Sequence, residues 1–405
     1  MTTTSEMSLA RPLPADPDDF RHDLHAGYAK YRPRAAVISF GAGFPVVIRH
    51  GDVTGLMTDP RTRQLETEGL AMRGITSGAL HDFYSHTLLL SNPPDHARRR
   101  APLQRAFAHR LIQELRPRIR ALVAQILDEA EIDGTADFRD AVASPLPARL
   151  TAEILGAPRE DTPRFAAMVY AMGRGLADFG PDDFPQIERA AGGLRAYVEE
   201  LLQARRVEPR EDFLTSYLAR VEETGDFDPA ETVMQIVTLI IAGSDTTRFG
   251  LTALLGLLLT HREQWEKLRA DPAALAPGAV LEALRFEPAV GSIGRVVTEP
   301  LEIGGIALKP GAIIQLSILS AQRDESVYAE PQRFDIARAD HPRWSLSFGF
   351  GAHRCLGEAL ARAEMEETLI VLAERYPDLA LAGGPPGTKG HSGIRTISPL
   401  PVRWR

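Results

Sequence analysis

The chain has 405 residues, 44% of them hydrophobic, which is ample for a large core. Its formal net charge of −8 argues against a nucleic-acid partner. A single cysteine excludes an internal disulfide framework, a cysteine-rich zinc site and a cysteine-ligated iron–sulfur cluster.

Residues 1–20 contain no apolar core of signal-peptide length, so the expectation is a cytoplasmic protein with a poorly ordered beginning. Tyr28 to Tyr31 could end a short helix. Residues 36–40 and 45–48 read as a hairpin around Gly41 and Gly43. From Thr62 to Ser91 the chain reads as loop, with Leu80, Phe83 and Leu88 among glycines: a binding lid or an ordinary packed loop.

Pro93-Pro94 then suits a helix start. His96 and Arg100 share one helical face and could hold an anion such as a haem propionate; a solvated basic face is the alternative. Pro102 predicts a kink. Arg98, Arg99, Arg105, Arg110, Arg116, Arg118 and Arg120 gather here with few acids, as a docking surface for an acidic partner or as a solvated face. Residues 111–225 are mostly amphipathic helix, with Met168, Tyr170, Met172 and Leu176 forming an adaptable apolar stretch.

Asp228-Pro229-Ala230-Glu231 is a strong helix start, and the helix it opens should run to about Thr260. It is apolar nearly all round, as a buried helix is, while Asp245 and Arg248 argue against a membrane span. A buried Asp245 needs a partner or a function; an i,i+3 pair with Arg248 is the structural alternative. Glu282 and Arg285 face the same way on a helix. Short strands follow at 293–297, 301–306 and 312–316.

The lone Cys355 follows a glycine-rich turn at Gly349 and Gly351 and precedes a helical pattern. Both features lower a thiol pKa, which points to a thiolate ligand for haem iron; a small buried hydrophobe is the alternative. No Gly-x-Ser-x-Gly or phosphate-binding loop pattern occurs.

Phe348, Gly351, Cys355 and Gly357 match Phe-x-x-Gly-x-x-x-Cys-x-Gly, which resembles the haem-binding loop of the cytochrome P-450 family. Three further segments are similar and stand in the family's order: Pro93-Pro94-x-His96-x-x-x-Arg100, Ala242-Gly243-x-Asp245-Thr246, and Glu282-x-x-Arg285 followed by Pro331-x-Arg333-Phe334. Asn92 stands where the family usually has Asp, and Arg248 is not the usual residue at its place.

The resemblance implies a mainly α fold with a small β region (α+β), one haem domain over residues 1–405 around a long central helix. It implies a monooxygenase using haem b and O2, with electrons from a separate ferredoxin-type donor and its reductase. Cys355 would be the axial ligand to iron. His96, Arg100, Arg295 and His353 would bind the propionates, and Phe348, Gly357 and Ala242 would border the haem. Asp245 and Thr246 would serve proton delivery, and Glu282, Arg285 and Arg333 a structural charge network. Phe83, Leu88, Met172, Leu239, Val290, Ile293 and Ile394 would line a pocket for a small hydrophobic substrate, with Ser292 or Arg174 as polar anchors. The donor would dock near Arg98, Arg99, Arg105 and Arg354. A peroxide-driven peroxygenase and a non-catalytic haem gas sensor or carrier are the other readings.

Overall fold

A computed structural model describes residues 11–41, 43–104, 109–130 and 134–404. The fold is mainly helical, with small sheets contributed from both ends of the chain. Residues 11–20 are ordered: Leu13–Pro14 pairs with Val37–Ser39, and Phe20 is buried against Tyr28 and Tyr31. That corrects the expectation for this part of the N-terminus. The helix Leu24–Tyr31 ends where its tyrosines suggested.

The largest sheet has six strands in the order Leu13–Pro14, Val37–Ser39, Val46–Val47, Ile313–Ser317, Ser292–Val297 and Thr62–Gln64. The expected hairpin is its second and third strands. Leu301–Ile303 and Ile306–Leu308 form a separate hairpin, turned by Gly304 and Gly305 with positive φ of 55° and 82°.

The stretch expected as loop instead carries a strand at Thr62–Gln64 and short helices at Glu68–Ala71 and Ala79–His86. The second of these has Gly78 at its N-cap, which offers no side-chain acceptor. Glu188 supplies one from 109 residues away, accepting from the N–H of Ala79 at 2.5 Å; it also accepts from Leu80 at 3.0 Å.

The central helix spans Pro229–Thr260. Asp228 and Glu231 form the expected capping box, with Pro229 in the first turn. Glu231 does more than cap. It accepts from Arg98 at 2.7 and 2.6 Å and from Arg99 at 3.0 and 2.8 Å. These arginines lie on the helix Asp95–Gln104, which contains Pro102. Arg99 is buried and Arg98 also pairs with Asp95. Both are thus engaged by carboxylates, and Arg99 is withdrawn from the surface; Arg105 lies outside the described residues. Their sequence neighbourhood is basic, but their charge is answered across the fold.

The hydrogen bonds from Arg98, then those from Arg99, hold Glu231 down at about 2, against the pull of burial. A carboxyl lowered on folding stabilises above its unfolded pKa, near 4.5, and that contribution fades as pH falls toward 2. Glu231→Gln is therefore expected to cost roughly 1–2 kcal/mol at neutral pH. The gap to the parent should shrink in melts taken at about pH 3. A gap independent of pH would mean that the pair does not carry this stability.

Among the described residues, no helix is long and apolar enough to cross a membrane.

Candidate haem and oxygen-activation site

The cysteine loop is built by two turns. Gly349 and Gly351 have φ of 72° and 64°, conformations that L side chains rarely adopt. The N–H of Cys355 donates to the carbonyl of Phe348 at 2.7 Å, which closes the loop. The helix Glu358–Arg375 starts three residues later, with Gly357 as its N-cap. A Cβ at Gly357 would meet only the Cys355 Sγ, at 4.0 Å, so the glycine leaves open space beside the sulfur.

Cys355 keeps accessible surface, yet burial is the largest influence on its thiol and pushes it up. The Gly357 N–H, and more weakly Arg100 and Arg354, pull it down. The net direction reverses the expectation from the loop and helix alone, because desolvation outweighs local dipoles here.

Basic groups collect beside it. The rings of His96 and His353 lie 3.9 Å apart, centroid to centroid. Arg100 donates to the carbonyl of Arg354 at 2.8 Å, and Arg295 to the Thr62 hydroxyl at 3.2 Å and carbonyl at 3.1 Å. Burial lowers His353 to about 3, with His96, Arg295 and Arg100 adding to the effect. Burial also lowers His96, Arg100 and Arg295, the last to about 10. Among the described residues, no carboxylate comes within ion-pair distance of any of the four. The Nε2 of His96 is buried without a partner. Two buried groups, His96 and Arg295, and two half-buried ones, Arg100 and His353, with no acid among them suit anionic oxygens. The thiol, the open space at Gly357 and this cluster fit a haem with its two propionates.

The central helix gives a second surface. Between Glu231 and Thr247 only Leu239, Ala242, Gly243 and Thr246 are not buried. Their spacing puts them on one face, an accessible stripe on an otherwise enclosed stretch of the helix. The Thr246 hydroxyl donates to the carbonyl of Ala242 at 2.7 Å. Asp245, next to it, is buried and paired with Arg248, the structural pairing weighed from the sequence. The Arg248 guanidinium also lies 4.1 Å from the ring centroid of Tyr170. Burial raises the Asp245 carboxyl and Arg248 opposes this. The helix Thr162–Gly173 packs directly above: a Cβ at Gly173 would collide with the Asp245 carboxylate.

The other pocket candidates divide into two groups. Val290 and Ile394 meet in a β-bridge, and they and Ile293 are half-buried. The loop carrying Ile394 is tied down by its N–H to Leu176 at 3.1 Å and by Arg395, which binds Glu287 and the carbonyl of Pro288. Phe83, Leu88 and Met172 are instead buried in the packing around the helices Ala79–His86, Thr162–Gly173 and Phe184–Val207. The proposed anchors are both engaged: the Ser292 hydroxyl with Gln315 at 2.9 Å, and Arg174 with Asp183.

The charge network needs one correction. Glu282 and Arg285 are buried and paired at 2.7 and 2.9 Å. The second arginine on Glu282 is Arg338, whose Nε donates to both carboxylate oxygens at 3.2 and 3.1 Å. Arg333 turns its side chain outward, 60% exposed, and offers only its backbone carbonyl, to Arg285 and Arg338.

The family model for cytochrome P-450 matches residues 169–377. The chain is 40% identical to plant-inducible cytochrome P-450-pinF1 of Rhizobium radiobacter over 98% of this chain and 95% of the relative. It is 34% identical to nocardicin C N-oxygenase of Nocardia uniformis subsp. tsuyamanensis, over 94% and 96%. It is 32% identical to the polyketide biosynthesis cytochrome P-450 PksS of Bacillus subtilis (strain 168), over 95% and 96%. Among solved structures, CalO2 superposes with a TM-score of 0.87 at 29% identity, covering 96% of this chain and 98% of that one.

Proposed function

Because this chain belongs to the cytochrome P-450 family, whose members are monooxygenases using haem b and O2, we propose specific roles for its residues. Cys355 holds the haem iron as a thiolate, and His96, Arg100, Arg295 and His353 hold its propionates. The observation that carries this is the acid-free cluster of those four groups beside the chain's one cysteine. Side chains from positions 96 to 355 contribute to one site, so we read the chain as a single haem domain. When bound, a thiolate-ligated haem supplies the electron density that favours O–O cleavage.

The protein's part is positioning, desolvation and proton transfer. Ala242 and Gly243 keep the helix face shallow. Thr246 presents a hydroxyl there, and Asp245, held by Arg248, is the acid behind it. The hydroxyl is oriented by the Ala242 carbonyl, so its oxygen is free to accept a bond from water. Thr246→Ala is expected to retain haem and substrate binding but to send several-fold more of the consumed reducing equivalents to hydrogen peroxide. The check is the ratio of product to NADH consumed. An unchanged ratio would remove Thr246 from proton delivery.

The substrate is a small neutral hydrophobic molecule. Leu239, Ala242, Val290, Ile293 and Ile394 offer apolar surface, and both polar candidates already have partners. Relatives named for polyketide biosynthesis and for N-oxygenation of nocardicin C point to natural-product chemistry. Electrons come from a separate iron–sulfur protein with its reductase. A ligand screen on the ferric protein, followed at the Soret band, tests the pocket. Neutral apolar compounds should displace iron-coordinated water and shift the spin state, and charged analogues should not. A library in which only charged compounds shift the band would overturn the substrate class.

A further inference from the structure

The electron donor must approach Cys355 from outside, and the basic run expected to receive it is partly spent on Glu231. Another feature stands on the cysteine loop itself. Trp344, eleven residues before Cys355, is 45% exposed. The other two tryptophans, Trp265 and Trp404, are buried, so exposure here is not the habit of this residue in this fold. An exposed indole is normally free to rotate. This one has two guanidiniums against its ring, Arg343 at 5.0 Å and Arg354 at 4.2 Å from the centroid.

Arg354 immediately precedes Cys355 and is fixed in turn by Glu358. One turn further along that helix, Arg362 is paired with Glu366. Arg343 has no carboxylate within ion-pair distance among the described residues. Between the tryptophan and the cysteine, Gly351 and Ala352 are exposed and carry almost no side chain, so a partner can come close to the loop backbone. A braced aromatic ring, flanked by cations and beside an open stretch of main chain, has the composition of an interface anchor. Bracing also means that little side-chain freedom is lost on binding.

We propose that Trp344, flanked by Arg343 and Arg354, is the anchor on which an acidic one-electron donor protein docks. The proposal rests on the reading above that electrons come from a separate iron–sulfur protein, and it names the surface that protein uses. Each encounter passes one electron from the donor's reduced cluster to the haem iron, leaving the cluster oxidised. Two electrons and two protons per O2 balance one oxygen atom placed in substrate and one water.

The experiment compares the haem-loaded parent, Trp344→Ala and Trp344→Phe. The probe donor is a plant-type [2Fe–2S] ferredoxin with its NADPH-driven reductase, and dithionite is the small chemical reductant. Reduction is followed by carbon-monoxide trapping as ferredoxin concentration is varied. The expected result is that dithionite reduces all three alike and that Trp344→Ala needs at least about tenfold more ferredoxin for the same rate. Trp344→Phe should keep most of the parent's rate, and raising the salt should weaken the donor in all three. Equal ferredoxin dependence in parent and Trp344→Ala overturns the anchor and leaves the donor reading standing. If ferredoxin reduces none of the three while dithionite reduces all, the iron–sulfur reading falls and the proposal falls with it.

Discussion

A Cys355→Ser protein is expected to lose the thiolate signature in the carbon-monoxide difference spectrum of the reduced state. Turnover should fall by more than about 100-fold. The backbone that frames position 355 does not depend on sulfur: the N–H of residue 355 bonds to Phe348, and Gly349 and Gly351 set the turns. The basic groups at His96, Arg100, Arg295 and His353 also remain, so some haem should still be retained. A serine hydroxyl, however, ionises far less readily than a thiol, and burial already works against the charged form at this position. The pull from the Gly357 N–H and the nearby guanidiniums was not enough to lower even the thiol. The variant therefore separates haem retention from iron ligation. An unaltered spectrum would refute the assignment of Cys355, whatever the activity.

What could be read from the sequence was chemistry confined to one segment. The turn at 349–351, the cysteine and the following helix are local, and so is the capping box at Asp228 and Glu231. The central helix was legible because 32 residues without a polar face can only be buried. What escaped were partners far away in sequence. Nothing near Arg98 and Arg99 announces that Glu231, more than 130 positions on, will neutralise them. Gly78 looked like a loop residue because the acceptor that caps its helix is Glu188. The Cys355 thiol went the other way from its local dipoles because burial is a property of the whole fold. The burial of Phe83 and Met172 in the packing between helices likewise depends on how those elements come together. Arg248 was legible as a partner of Asp245 because i,i+3 spacing is local, whereas its stacking on Tyr170 was not.

Arg338 and Arg333 offer the sharpest separation of local resemblance from tertiary fact. Both lie within a few residues of Phe334, and either could have reached back to the Glu282–Arg285 helix. The choice was made by the path of the loop, which buries the Arg338 side chain to 6% exposure and leaves that of Arg333 outside. Arg338→Ala is expected to destabilise the protein by about 3–5 kcal/mol, the range for removing one partner of a buried ion pair. Glu282 has no access to water, and it would keep Arg285 and the N–H of Asp335 but lose the donor that bridges both of its oxygens. Arg338 also holds the carbonyls of Ala329, Glu330 and Arg333, so the segment leading to the cysteine loop should loosen. Haem loss should then precede global unfolding, visible as Soret decay at lower urea than the loss of helical circular dichroism. Arg333→Ala removes an exposed side chain whose carbonyl contacts survive, and its effect should stay within about 0.5 kcal/mol. Urea titrations of the two variants decide between them: equal costs, or the larger cost at Arg333, would return the network to the assignment made from sequence.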